Sequence, residues 1–290
     1  TLDLAAVGAR CARGYRPFDA GFADRCSAAA ARAWSAALEH PERYAPEGGV
    51  GGGPYDDTDV TDEFSWAAAE LFAATGDRSY LDRVATRLTV DNFSWRDTGG
   101  LAELALVRVR SRLAPELAEL VIDQVLEVAD RHLADQRAQG YPTPYLPADG
   151  HYVWGSNSAV ANQALVLAYA YRLSGWAEYR DGALEALDYL LGRNALNQSY
   201  VTGYGERSSH HQHHRFWARQ LDPSLPQPPP GSLAGGPHDG LADPVARRAL
   251  QGRAPAKSYV DDIGSYSTNE VAINWNSALA WIAGFAATVD

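Results

Sequence analysis

Phe72-Ala-Ala-Thr75-Gly76-Asp-Arg-Ser-Tyr80-Leu-Asp82 and Tyr171-Arg-Leu-Ser174-Gly175-Trp-Ala-Glu-Tyr179-Arg-Asp181 are two versions of one pattern. In each, an apolar helical stretch runs to Thr or Ser, a glycine follows, and a tyrosine comes one turn later. Glycine adopts left-handed backbone without a Cβ penalty, so it ends the first helix. The tyrosine then packs early in the next. The pattern is a helix-hairpin junction, and its recurrence with no strand-like alternation around it points to an all-α toroid or solenoid of hairpins. A coincidental likeness of two helix ends is the competing reading.

Working outward from these junctions, helical periodicity predicts helices over 2–13, 22–40, 61–75, 77–89, 99–111, 114–138, 157–174, 176–193 and 269–288. Thr61 followed by Asp62 and Glu63 places acids in a first turn. Polar or Gly/Pro-rich stretches at 41–60, 140–156 and 195–268 interrupt the helices. The last is much longer than a connection requires, and its aromatics, histidines and turn residues mark an ordered functional face.

The 290 residues suffice for a large core, and 46% of them are hydrophobic. A net charge of −11 with scattered Lys and Arg argues against nucleic acid as a partner and is compatible with an uncharged polysaccharide. No run of 18 apolar residues suggests a membrane span. No charged and apolar leader pattern precedes the first helix at Thr1, and the opening residues read as mid-domain sequence. Cys11 and Cys26 flank the first interhelical turn, where a staple and a pair of free thiols both stand as readings.

Three segments carry chemistry. Tyr259-Val-Asp261-Asp-Ile-Gly-Ser-Tyr266-Ser-Thr-Asn269-Glu270 runs into the last apolar stretch through Trp275-Asn276-Ser277. A carboxyl donates a proton near neutral pH only when desolvation or a neighbouring charge raises its pKa, and Tyr266 and Trp275 could wall in Glu270. Complementing a helix dipole from the first turn is the plainer role for that Glu. The run from Ser199 to Arg215 includes His210, His211, His213 and His214. Zinc is disfavoured there, since neither cysteines nor regular helical histidine spacing accompany it. Hydrogen bonding to sugar hydroxyls and a solvated polar loop remain. In Tyr55-Asp-Asp-Thr58-Asp-Val-Thr-Asp62-Glu63, with Asp97 downstream, clustered carboxylates suit calcium, while a solvated acidic turn stands beside it. Aromatics concentrate in the same loops, among them Tyr141, Tyr145, Tyr152, Trp154, Tyr204, Trp217, Tyr259 and Tyr266. Such faces stack against pyranose rings.

Taken together, these residues resemble the family 9 glycoside hydrolases, cellulases built on an (α/α)6 barrel. The segment from Tyr259 through Asp261, Tyr266, Glu270 and Ala272 to Asn276-Ser277 matches one signature of that family throughout. Ser199 to Arg215 matches the other, with Gln212 standing where the family has Pro or an aliphatic residue. That exchange is expected to loosen the loop while leaving His213 and Arg215 in register. The runs Pro228-Pro-Pro-Gly231 and Gly235-Gly-Pro237 also resemble the family, although His238 replaces the usual Asn.

The resemblance implies Glu270 as general acid and places Asp261 in the active-site signature. It implies His213, Arg215, Trp154, Tyr266, Trp275 and Tyr204 as substrate contacts. Thr58, Asp62, Glu63 and Asp97 would form a structural calcium site, with no organic cofactor. The substrate would be cellulose or a related β-glucan, cleaved with inversion, and its polymeric nature implies secretion. The likeness extends from Thr1 to the C-terminus as a single partial barrel domain. Nine helices fall short of the barrel's six pairs, so N-terminal helices are expected to be missing and apolar faces exposed for self-association. The family's base motif, Asp-Ala-Gly-Asp, is met here only by Asp19-Ala-Gly-Phe22, which reads as part of a turn. The catalytic base is therefore expected outside this chain, or the chain is a non-catalytic glycan-binding relative.

Overall fold

A computed structural model describes residues 1–44, 57–85 and 93–289. Tyr55 and Asp56 of the acidic stretch, and the end of the helix expected over 77–89, lie outside these residues. The described residues form helices and loops with only isolated β-bridges, and they gather into two compact units, Thr1–Leu126 and Glu127–Asp290.

In the first unit, α1 (Leu2–Tyr15) and α2 (Ala20–Glu39) form a hairpin. Asp19 begins α2 as its N-cap, its carboxylate accepting the Phe22 N–H at 2.8 Å. The Asp19-Ala-Gly run is thus a helix-capping turn, as its sequence suggests. Ala5, Ala9 and Ala12 of α1 and Ala23, Ala30 and Ala33 of α2 are all buried, and Gly8 lies against Ala30 where the two helices meet. The helix α3 (Thr61–Thr75) packs on α1 and is buried along most of its length. Its Glu70, fully buried, takes Arg13 of α1 at 2.8 Å and Arg10 at 3.6 Å. α4 (Gly99–Arg108) packs on α3. α5 (Pro115–Arg137) continues into the second unit.

The second unit is centred on the hairpin of α6 (Ser156–Ser174) and α7 (Ala177–Leu190), with α10 (Ile273–Ala286) against α6. Two short helices, α8 (Pro244–Leu250) and the single turn α9 (Tyr266–Asn269), precede α10. α8 falls within the stretch expected to be an irregular loop. Asp243 caps it, and that fully buried carboxylate also accepts the backbone and hydroxyl of Ser267 and the hydroxyl of Ser265. Burial alone would raise the Asp243 pKa, but these hydrogen bonds, with that of Ala246, hold it below the usual carboxylate value.

Both quoted junctions are built alike. Gly76 and Gly175 have φ of +82° and +74°, and their N–H groups bond back to Phe72 and Tyr171 at 2.8 and 2.7 Å. Thr75 and Ser174 hydroxyls each donate to the carbonyl one turn earlier and accept the N–H two residues later. The junctions diverge afterwards. Tyr179 opens α7 and is buried, whereas Tyr80 lies in a 3₁₀ helix, Arg78–Arg83, where an α-helix was expected. Asp77 caps that short helix through the Ser79 N–H, a local bond that competes with regular helix.

Candidate active site

The last helix begins later than periodicity predicts. Glu270 follows α9 with φ −64° and ψ 155°, extended backbone, and α10 starts only at Ile273. The dipole role expected of a first-turn Glu therefore does not apply to it. Its neighbourhood is held from both sides by backbone. His213 N–H donates to the Asn269 carbonyl at 2.8 Å, and Gly235 N–H donates to the Glu270 carbonyl at 2.9 Å. These bonds join the histidine run, the Gly-rich run and the Tyr259–Ser277 segment at two adjacent residues, Asn269 and Glu270.

Around the half-buried Glu270 side chain stand aromatic and imidazole rings. The Trp154 indole N–H donates to Glu270 Oε2 at 3.0 Å. The Trp154 ring lies 5.7 Å from Tyr266 and 6.1 Å from His238, and Tyr266 meets His213 edge-on at 5.8 Å. His213 Nδ1 lies 2.5 Å from the Ile263 carbonyl, which can only accept, so Nδ1 carries the proton. Nε2 is left with no protein partner among the described residues. His238 is fixed in the same tautomer by the Tyr152 carbonyl at 2.9 Å. Apolar ring faces beside a carboxyl and an open imidazole nitrogen can hold a sugar ring and reach its hydroxyls.

Asp261 does not stand free. It accepts the backbone N–H groups of His210 and His211 at 2.7 and 2.9 Å and the Asn269 amide at 3.1 Å. The Asn269 amide also donates to the His211 carbonyl at 2.7 Å, and its oxygen accepts from the buried Tyr259 hydroxyl, itself bonded to Ser209. Burial, with Asp261 nearby, pushes the Tyr259 phenol well above its ordinary pKa, so it stays protonated as a donor. Asp261, Asn269 and Tyr259 thus form the frame that positions the histidine run.

Gln212, where the resemblance has a Pro or an aliphatic residue, ties that run to the stretch around Ser232. Its fully buried amide donates to the Ser232 carbonyl at 2.8 Å. Trp275 acts as a post. A Cβ on Gly155, already at φ +80°, would come within 2.7 Å of its ring, and one on Gly235 within 3.1 Å. Both glycines let the backbones beside Trp154 and Glu270 rest on that indole. Asn276 clamps the same run through Leu233 N–H at 2.8 Å. Tyr204 and Arg215 are exposed, and Arg215 makes no hydrogen bond or ion pair among the described residues. Sequence reasoning did not single out Asn269 or the clamp by Asn276. Their positions within that segment were the available signal, but the partners that tie them to other runs, Leu233 for Asn276 and His211 for Asn269, lie 43 and 58 residues away.

The calcium candidates lie in the first unit. Asp62 accepts the N–H and hydroxyl of Thr98, Asp97 accepts the Gly99 N–H, and Thr58 is exposed. Burial, with Asp62 adjacent, raises Glu63 to about 8, and its Oε2 is buried without a partner among the described residues. Burial and the charges of Asp62 and Asp57 also raise Asp97. Hard oxygen donors that repel one another suit a cation. Even so, among the described residues no three acidic, His or Cys side chains are grouped to hold one. A cavity of about 520 Å³ lined by Asp3, His40, Asp57, Glu63, Phe64 and Trp95, among others, opens in this unit.

A family profile described as Glycosyl hydrolase family 9 matches residues 1–283. Endoglucanase C of Cellulomonas fimi is 50% identical over 299 residues, an alignment that takes in 99% of this chain and 27% of that protein. A cellulose 1,4-beta-cellobiosidase of Acetivibrio thermocellus is 40% identical, over 100% of this chain and 36% of that protein. A crystal structure of a single mutant of a thermostable endoglucanase from Alicyclobacillus acidocaldarius superposes with a TM-score of 0.87 at 31% identity, covering 98% of this chain and 54% of that one. The chain therefore spans between about a quarter and about half of these proteins. With its profile match over nearly all residues and an all-α fold of the (α/α)6-barrel type, the chain belongs to glycosyl hydrolase family 9.

Proposed function

We propose that this chain supplies the proton-donating side and much of the sugar-contacting surface of an inverting endo-β-1,4-glucanase acting on cellulose or a related β-glucan. The observation that carries this reading is Glu270 hydrogen-bonded to the Trp154 indole within a cluster that includes Tyr266 and His213. Glu270 would protonate the glycosidic oxygen as the bond to the anomeric carbon breaks. Trp154, Tyr266 and Tyr204 offer faces to sugar rings, and His213 and Arg215 offer hydrogen-bonding groups. Asp261 and Trp275 serve by positioning the histidine run and the backbones beside the site. Secretion follows from a polymeric substrate.

Inversion needs a second carboxylate across a gap of roughly 6.5–9.5 Å to activate water. No Asp-Ala-Gly-Asp occurs in the 290 residues. We assign that base to a part of the catalytic domain outside them. The same observation favours one other reading, a glycan-binding relative without hydrolysis. In the enzyme that contains this chain with the rest of its domain, Glu270→Gln should lower kcat on carboxymethylcellulose by at least about a hundredfold, while cellotetraose binding stays within a few-fold. Unchanged kcat would reject Glu270 as the acid, and absent hydrolysis by the unsubstituted enzyme with retained binding would favour the second reading.

Calcium, if bound by Thr58, Asp62, Glu63 and Asp97, would be structural, neutralising the carboxylates at the start of α3. Millimolar calcium should then raise the Tm of the wild-type chain by a few degrees, and Asp62→Ala should abolish that rise. A calorimetric scan insensitive to calcium would remove the site.

A further inference from the structure

The hairpin of α1 and α2 holds a pair of thiols that the glycosidase site does not use. The Cys11 and Cys26 thiols share a hydrogen bond, sulfur to sulfur 3.0 Å, and both side chains are half-buried rather than sealed in the core. The separation is a consequence of backbone packing. A Cβ on Gly8, one turn before Cys11, would lie 3.1 Å from the Cys26 carbonyl oxygen and 3.1 Å from Ala30 Cβ. A side chain at position 8 would make the neighbouring helix give by a few tenths of an ångström, so the glycine favours the close approach that sets the thiols face to face. Side-chain rotation need shorten the sulfur separation by only about 1 Å to reach the roughly 2.05 Å of a disulfide. A shared metal is the rival use of paired thiols, but among the described residues no third His, Cys, Asp or Glu joins them in a group able to hold one.

We infer that Cys11 and Cys26 are a disulfide-forming site, a covalent latch closing the α1–α2 hairpin when the protein meets a small-molecule disulfide oxidant. One cysteine thiolate attacks the oxidant's S–S bond, giving a mixed disulfide and releasing one thiolate. The other cysteine then attacks the protein sulfur of that mixed disulfide, closing the Cys11–Cys26 bond and releasing the second thiolate. Two protons and two electrons leave the protein, and the oxidant is reduced to two thiols. The hydrogen bond with Cys26 raises the Cys11 thiol pKa, so closure should quicken as pH rises from 7 to 9. The latched loop ties α1, which carries Arg10 and Arg13 to Glu70, to its neighbour and restricts the unfolded chain.

The test is to equilibrate the native protein with oxidised glutathione, alkylate under denaturing conditions with iodoacetamide, and read intact mass with peptide mapping. The expected result is loss of both alkylation sites, a Cys11–Cys26 cross-linked peptide, and a Tm roughly 5–10 °C above that of the dithiothreitol-treated protein. In Cys11→Ser and Cys26→Ser the reductant-dependent Tm difference should disappear, with the remaining thiol free or capped by glutathione. Two alkylated cysteines after equilibration would overturn the proposal. So would persistent glutathione adducts on both, cross-links only between molecules, or a cross-link that forms only in denaturant. A cross-link without any rise in Tm would retain the disulfide and overturn the latch.

Discussion

At the scale of single residues, the indole N–H of Trp154 is the group whose loss is most informative. Its nitrogen holds one oxygen of Glu270, and its ring face is the surface proposed to stack on sugar. Trp154→Phe keeps an aromatic face and removes that donor. A hydrogen bond of this kind contributes about 0.5–1.5 kcal/mol, so kcat should fall by roughly two- to tenfold as the carboxyl loses its fixed rotamer. KM should change less, because stacking persists. Steady-state kinetics separating the two constants would check this, and a loss confined to KM would leave Trp154 as a stacking platform alone. Glu270 itself was legible in the sequence from its spacing to Asp261 and Tyr266. The identity of its hydrogen-bond donor was not, because Trp154 lies 116 residues away along the chain.

At the scale of elements, α4 shows how a helix can bury a charge-bearing residue. Nearly all of Gly99–Val107 is buried, and the run includes Glu103. Both Glu103 carboxyl oxygens lack hydrogen-bond partners among the described residues, and burial raises its pKa to about 8. Because the folded value lies above the unfolded one, the protonated folded form is favoured at low pH. Its contribution is complete below about 4.3 and is lost as pH rises through the folded value near 8. Unfolding free energy should therefore decline by a few kcal/mol between about pH 5 and 8 through this residue. Glu103→Gln should flatten that decline, as urea titrations at several pH values would show. An unchanged slope in the variant would refute the assignment.

Other elements divide along the same line. The extents of α3 and α6 follow from periodicity and capping, which are local. The 3₁₀ helix after Gly76 and the late start of α10 were misjudged because local hydrogen bonds and packing against Gly155 and Gly235 outweigh periodicity. The long 195–268 stretch was read as an ordered face, and bridges Ser199–Ser208, Val201–Leu233 and His213–Glu270 are what order it. A polar residue such as Gln212 in place of Pro reads as slack in sequence, but its buried amide bond to Ser232 is a tether.

At the scale of the whole molecule, apolar side chains remain in contact with water. Leu4 and Val7 on α1 are 56% and 52% exposed, Phe18 beside the hairpin turn 86%, and Ile273 at the start of α10 92%. These faces should drive self-association of the isolated 290-residue chain, seen by light scattering as a mass that grows with concentration. The same isolated chain should show little or no hydrolysis of carboxymethylcellulose, because the activating base is assigned elsewhere. A monodisperse monomer with robust turnover lost in Glu270→Gln would contradict both expectations. It would also require a carboxylate of this chain to act as base.

By itself the sequence determined the all-α class, the two hairpin junctions and the segments around Glu270 and His213, because helix periodicity, glycine-ended helices and closely spaced motifs are properties of neighbouring residues. The tertiary structure decided what those residues do to one another. It made Asp261 a clamp on the histidine run rather than a free carboxylate, Trp275 a post beneath two glycines, Gln212 a tether, and Cys11 and Cys26 a facing pair. Each of these depends on two distant stretches of backbone approaching within hydrogen-bond or van der Waals distance. That approach is fixed by how closely small residues let helices and loops pack, which no local pattern specifies.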